Sequence, residues 1–323
     1  MSVQTPTSVQ TNAFEDLSGI STSAFSNPYD ALIAACRDDA AEIQTRYSLH
    51  RATRNAQQKA KMLDASFAGV NIDSVLARLC DPTLDPGFVD TRHCLVFWGR
   101  PTQKVKDLVE RVQHELSLVA PELWLMPRDN LHITVLEVAY SKTAPEIESM
   151  VESIREQAPA IVDYTHDHRT RLIKPLIGFD PSALALSFVP AAGEGLHSDR
   201  KAEDDAYTYH HLRRDVFGLL RDAGVQIDSR YVVPSSHLTI ARFSNNKDFT
   251  NEDGTHDASK MKVFIDAIEK INAWLEREFW PEHNKGIIPD GGEFNVGEET
   301  GLHCRIGTLW YGGGNDVCRG KGY

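Results

Sequence analysis

The sequence predicts an α+β fold, on three observations. From Cys94 onward, stretches with helical spacing alternate with short β-rich runs. Several neighbouring strand candidates are joined by short connections, which favours antiparallel pairing. A helix followed by a histidine-bearing strand occurs twice, once ahead of His132 and once ahead of His237, although no extended repeat of residues is visible.

Residues 1–26 are rich in Ser, Thr, Gln and Asn with few large apolar side chains, and are expected to form a disordered tail. Asn27-Pro28 reads as a helix start. Tyr29, Leu32, Ile33, Cys36, Ala40, Ile43 and Tyr47 follow at three- and four-residue steps, so one helix is expected to run on through 50–60. A short helix is expected over Ile72–Leu79, and Asp81-Pro82 and Asp85-Pro86 then break the pattern. Residues 27–90 are therefore assigned as a helical extension on a main domain over 91–323.

Within that domain, strands are expected at Cys94–Trp98, Leu131–Tyr140, Arg171–Ile177, Ala183–Val189, His237–Phe243, Phe294–Val296 and Cys304–Tyr311. Helices are expected at Gln103–Val119, Ala144–Glu156, Ala206–Ala223 and Ser259–Phe279. The acidic segment Gly193–Asp205 reads as a solvated loop.

Composition narrows the functional classes. The 323 residues carry a net charge of −12, the wrong sign for a protein that tracks a long nucleic-acid backbone. A local site can still oppose the global sign and grip one or two phosphates. No apolar run approaches the roughly 18 residues of a membrane span, and cytoplasm or nucleus is the expected location. Five scattered cysteines contain no C-x-x-C pair, so neither a disulfide framework nor a zinc-thiolate site is indicated. Walker-A, dinucleotide-binding, serine-hydrolase and zinc-protease motifs are absent from the sequence.

The chemistry is carried by Leu131-His132-Ile133-Thr134-Val135 and Ser236-His237-Leu238-Thr239-Ile240. Alternate side chains of a strand share a face. Each segment thus displays an imidazole beside a hydroxyl, opposite an apolar anchor face. Histidine titrates near ~6.5, so one imidazole can act as base while its partner acts as acid. The threonine hydroxyls suit the non-bridging oxygens of a phosphodiester, where charge builds in the transition state. No step of this scheme calls for a cofactor or metal.

The motif pair HITV at 132–135 and HLTI at 237–240 resembles the 2H phosphoesterase superfamily, which includes LigT-like and plant-type cyclic phosphodiesterases. Leu125-Met126-Pro127-Arg128-Asp129-Asn130-Leu131 is similar to the entry into the first motif in that superfamily. The resemblance covers residues 92–312. It implies two pseudo-symmetric lobes with antiparallel sheets and outer helices, with His132 and His237 as the catalytic pair. It further implies Thr134 and Thr239 as phosphate-oxygen donors and a nucleotide or short RNA end as substrate, either a 2′,3′-cyclic phosphate or a 2′,5′-linked oligonucleotide. The chain departs from the pattern at Glu137, where many LigT-like members carry arginine five residues after the first histidine; the second motif has Arg242 at that spacing.

Secondary candidates for a nucleotide pocket are Tyr140 and Phe243, which share the parity of His132 and His237, together with Arg242 and Tyr311. Each has a structural alternative: Tyr140 and Phe243 as rim or core aromatics, Tyr311 as the end of a strand before Gly312–Gly314, and Arg242 on the wrong face of a regular strand. His166-Asp167-His168 lacks a third ligand for a metal, and the adjacent His210-His211 diverge on a helix. Two rival functions stand beside the enzyme: a nucleotide-sensing module with little turnover, and a metal-dependent hydrolase. Protein partners are left open, with the helical extension 27–90 a candidate docking surface that mildly favours the sensing module, and no membrane association is expected.

Overall fold

The computed structural model describes residues 16–196, 200–230 and 232–323. It is a mixed α+β structure built around two antiparallel sheets. The helices are α1 (Asp30–Ala35), α2 (Ala40–Met62), α3 (Ser74–Cys80), α4 (Gln103–Ser117), α5 (Ala144–Ile154), α6 (Ala158–Asp163), α7 (Tyr209–Asp222) and α8 (Ala258–Phe279). The strands are β1 (His93–Gly99), β2 (Trp124–Leu125), β3 (Ile133–Lys142), β4 (Thr170–Phe179), β5 (Ala183–Pro190), β6 (Ser236–Arg242), β7 (Phe294–Val296), β8 (Leu302–Gly307) and β9 (Asn315–Arg319). One sheet has the order β3-β1-β8-β9 and the other β2-β6-β5-β4-β7. No helix among the described residues is long and apolar enough to cross a membrane.

Strand β1 shows how residue order separates the core from the cleft. Leu95 and Phe97 enter the main core, while Cys94, Val96 and Trp98 cluster with Leu309 on the opposite face. That is the period of two expected for a strand covered on both sides. Helix α4 starts where the Thr102 hydroxyl accepts from Val105 N, and buries Val105, Leu108, Val112 and Leu116 along one stripe. Helix α7 is capped by Thr208 and buries Tyr209, Leu212, Val216 and Leu220.

Several sequence expectations are corrected. Residues 1–15 of the expected tail lie outside the described residues. From Leu17 the segment lies on α2, with Leu17 N donating to His50 Nδ1 at 3.1 Å and Arg46 Nη1 to Ser18 O at 3.2 Å. The single long helix is broken after α1, because Arg37 and Asp38 adopt φ of 52° and 61°, and Asp39 caps a new helix by accepting from Glu42 N. The final strand ends at Gly307 rather than Tyr311, and the chain turns back as β9. Asp205, expected in a solvated loop, is buried and paired with Arg171 at 2.6 Å.

His210 reports on acid stability. Its Nε2–H donates to Tyr29 O at 3.0 Å, so Nδ1 accepts from the Tyr47 hydroxyl, also at 3.0 Å. Burial first, then the Arg213 guanidinium, pushes its pKa down to about 3. Between that value and the unfolded value near ~6.5, the unfolded chain binds a proton that the native chain refuses. Stability is thus full above ~6.5 and is lost as pH falls, by a few kcal/mol for one such group at ~1.4 kcal/mol per unit. The urea midpoint should therefore fall steadily from pH 6.5 to 4.5, and less steeply in His210→Gln. A midpoint flat across that range contradicts this account.

Candidate active site

His132 stands just ahead of β3, at the exit of the 3-10 turn Arg128–Asn130. Its Nδ1 lies 2.7 Å from Asn130 O. A carbonyl only accepts, so Nδ1 carries the hydrogen and Nε2 keeps its lone pair. The ring lies on Trp98, with centroids 3.7 Å apart and planes at 16°. The Gly312 backbone (φ 78°) makes this turn possible: a Cβ there would sit 2.4 Å from Asn130 Cβ, and Asn130 Nδ2 bonds Tyr311 O at 2.9 Å. The glycine run therefore accommodates the turn that orients His132.

On the other sheet, His237 and Thr239 sit opposite Ser187 and Ala185 of β5. His237 Nδ1 is 3.0 Å from Ser235 Oγ. His132, Thr134, His237 and Thr239 line one cavity of about 50 Å³, together with Met126, Trp98 and Trp310. The two motifs thus come from separate sheets and meet.

A bulge follows each motif at the same place. In the β1–β3 ladder, Trp98 pairs with Thr134 and Phe97 with Leu136, so Val135 is the extra residue. In the β5–β6 ladder, Ala185 pairs with Thr239 and Leu184 with Ala241, so Ile240 is the extra residue. Each extra residue is the third after its histidine, and each reverses the parity of the residues beyond it. The effect is that Glu137 and Arg242, both five residues after a histidine, join the cavity wall. The same reversal sends Phe243 into the core against Phe249 and Phe264, which corrects its assignment as a pocket residue.

Each bulge is held by the helix that precedes the other motif. Gln113 of α4 donates to Ile240 O at 2.9 Å, beside the Met126 N bond to the same oxygen. Arg213 of α7 donates to Val135 O at 3.2 Å and to Val233 O at 2.8 Å, and Tyr209 Oη donates to Thr134 O at 2.8 Å. Carbonyls freed from the ladder are thereby paired.

Glu137 is buried and grips Arg230 with both oxygens, Oε2 to Nε at 3.0 Å and Oε1 to Nη2 at 2.5 Å. That guanidinium lies over Tyr140 at 4.0 Å and Trp310 at 4.6 Å, and lines the cavity. A cation thus reaches the wall near the first motif from a different segment. The sequence carries no signal for Arg230, because its partner is far away in the chain. Trp98 and Trp310 read as parts of apolar strands, and their place on the cavity follows only from sheet pairing.

Tyr140 does not line the cavity; it covers Arg230. Tyr311 stands behind Arg242, its hydroxyl donating to Asp73 Oδ1 at 2.8 Å while Arg242 Nη1 lies 3.8 Å from Asp73 Oδ2.

Burial and nearby cations both favour the neutral form of each imidazole in the free protein. Burial, with Arg100, His237 and Arg305 adding to it against the Asn130 bond, pushes His132 down to about 3. Burial, with Arg54, Arg213, Arg242 and His50, pushes His237 down to about 4. Each ring is also partly exposed to the cleft, so an incoming anion can reach it. Among the described residues, no group of three or more His, Cys, Asp or Glu side chains is arranged to hold a metal. No protein-family model matches the chain, and no curated protein matches it in sequence.

Proposed function

We propose that this chain is an acid–base phosphodiesterase of the 2H phosphoesterase type, acting without a metal on a 2′,3′-cyclic phosphate or a 2′,5′ linkage at a nucleotide or RNA end. The observation that carries this reading is the convergence of both His-x-Thr motifs on one small cavity, each followed by a bulge at the same position. The two sheets then correspond to the two lobes of that superfamily, and α4 and α7 to equivalent outer helices.

For a cyclic phosphate, His132 is the base and His237 the acid. Asn130 O holds the His132 hydrogen on Nδ1, so Nε2 takes the proton of an attacking water. His237, whose Nδ1 faces the Ser235 hydroxyl, takes the part of the acid and donates to the departing ribose oxygen, giving a nucleoside monophosphate. The hydroxyls of Thr134 and Thr239 donate to the non-bridging oxygens. Arg242 and Arg230 counter the phosphate charge. Proton exchange with solvent returns both histidines to their starting states.

The substrate anion is itself part of this scheme. A phosphodiester between the rings opposes the cations that hold both pKa values down, and the site takes up one proton on binding. The profile of kcat/KM reports the free enzyme, in which His237 is protonated only near pH 4. From pH 5 to 8, kcat/KM should therefore fall as pH rises, approaching tenfold per unit, while kcat changes less. A kcat/KM that climbs with pH over that range contradicts the assignment.

A second reading, a nucleotide sensor with little turnover, is favoured by the burial of both imidazoles, which pushes their pKa values down and disfavours a protonated acid in the free site. Incubation in EDTA with adenosine 2′,3′-cyclic phosphate and with 2′,5′-linked oligoadenylate separates the readings. Turnover that is indifferent to chelation supports the enzyme. Tight binding without turnover favours the sensor, and activity abolished by EDTA and restored by a divalent cation favours a metal-dependent hydrolase.

A further inference from the structure

A second cavity of about 400 Å³ opens beside the first and shares His237, Thr239 and Arg242 with it. Its wall is helix α2. Arg54, Gln58 and Lys61 follow one another at helical spacing, with Asn55 beside them. Its floor is β5, where Ala183, Ala185 and Ser187 alternate toward the helix. These side chains are small, so helix and sheet do not close on each other and a space remains. The helix is fixed in place by Arg51 Nη1 on Lys174 O at 2.7 Å, Asn55 Nδ2 on Ile177 O at 2.9 Å and Gln44 Nε2 on Pro190 O at 2.9 Å.

The charge of this space is opposite to that of the protein. Arg54, Lys61 and Arg242 line it in a chain of net charge −12. Its one lining carboxylate, Asp180, is engaged by Arg54 and by the backbone N–H groups of Ser182 and Ala183 at 2.7 and 3.0 Å. Lys61 is exposed and has no ion-pair partner among the described residues. Arg54 uses one nitrogen on Asp180 and has donors to spare. Arg242 Nε is buried without a hydrogen-bond partner, at the border of the two cavities. A buried donor left unpaired is costly unless a ligand satisfies it.

The first cavity is too small for a nucleoside, whereas ligand pockets typically span ~300–1,000 Å³. We propose that the second cavity is a subsite for the neighbouring phosphate and nucleoside of an oligonucleotide, which makes an oligonucleotide end, and not a free mononucleotide, the preferred substrate. This inference rests on the phosphodiesterase reading of the His132–His237 cavity. The scissile phosphate lies among the two His-x-Thr motifs, and the next phosphate lies along α2 between Arg54 and Lys61. Arg242 stands between the two phosphates.

The test compares three substrates: adenosine 2′,3′-cyclic phosphate, the same nucleotide bearing a 5′-phosphate, and a trinucleotide ending in a 2′,3′-cyclic phosphate. Wild type should prefer the trinucleotide by about tenfold or more in kcat/KM, mostly through KM, as one or two charge-assisted contacts provide. The preference should shrink with added salt. In Lys61→Gln, an exposed site where folding is not at risk, the ratio of trinucleotide to mononucleotide kcat/KM should fall severalfold, and further in Lys61→Gln with Arg54→Gln. If the 5′-phosphorylated mononucleotide matches the trinucleotide, a second phosphate alone fills the subsite, and the preference for an oligonucleotide is overturned. Equal kcat/KM for all three in wild type, or a preference untouched by both substitutions, also overturns it. Absence of turnover on every substrate sinks the enzyme reading instead. The subsite is then judged by binding of a fluorescent trinucleotide, which Lys61→Gln must weaken severalfold; unaltered binding overturns the subsite too.

Discussion

His132→Ala and His237→Ala should each lower kcat by ~10²–10⁴-fold, the usual contribution of one general acid or base. The two losses should not add: once one partner of a proton relay is gone, removing the other costs little more. The basis is the shared cavity, in which a proton on either ring disfavours a proton on the other, and a charge on His237 lowers the proton affinity of His132. KM should change much less than kcat, because in the proposed mechanism Thr134, Thr239, Arg230 and Arg242 still hold the phosphate. Full activity in either variant would place the chemistry elsewhere.

The largest effect on stability is expected at Arg213, which is fully buried and packed against Tyr29 and Tyr209. It donates to Val135 O, Val233 O and the Tyr29 hydroxyl at 3.2, 2.8 and 3.1 Å. Arg213→Met keeps much of the packing and strands two carbonyls, each at ~1–3 kcal/mol. A loss of about 3 kcal/mol or more should appear in urea unfolding. Turnover should also fall in the folded fraction, because Val135 is the bulge residue that brings Glu137 and Arg230 to the cavity. A loss below about 1 kcal/mol would mean that water or a neighbour satisfies those carbonyls.

Legibility of the site in the sequence depends on range. The His-x-Thr pairs can be read because alternate residues of extended chain share a face, and that period holds from His132, just ahead of β3, to Thr134 and from His237 to Thr239 within β6. It fails at the next residue in each strand. Val135 and Ile240 look like ordinary apolar strand residues, and what makes them bulge is pairing with β1 and β5 together with carbonyl bonds from Arg213 and Gln113. Regular alternation therefore puts Arg242 on the wrong face and Phe243 on the right one, and one extra residue explains both errors. Glu137 is a departure from the resembled pattern in sequence, but its bidentate grip on Arg230 depends on a residue 93 positions away.

The break between α1 and α2 is hidden in the sequence for a related reason. The apolar stripe continues through Cys36 and Ile43, and only the left-handed Arg37 and Asp38 reveal the turn. The stripe of α2 marks its buried face, whereas the face bearing Arg54, Gln58 and Lys61 looks merely polar. Its meaning comes from the groups that lie opposite, the small residues of β5 and the second motif.

In the proposed mechanism, His132 and His237 form one acid–base pair that responds to a phosphate. Proton occupancy of both rings, read by NMR of ¹⁵N-histidine-labelled protein at pH 7 with and without a nucleoside 2′-monophosphate, tests it most directly. Two neutral rings are expected in the free protein, with the His132 hydrogen on Nδ1, and one protonated ring, His237, when the phosphate is bound. Two rings unchanged by a bound nucleotide would contradict it.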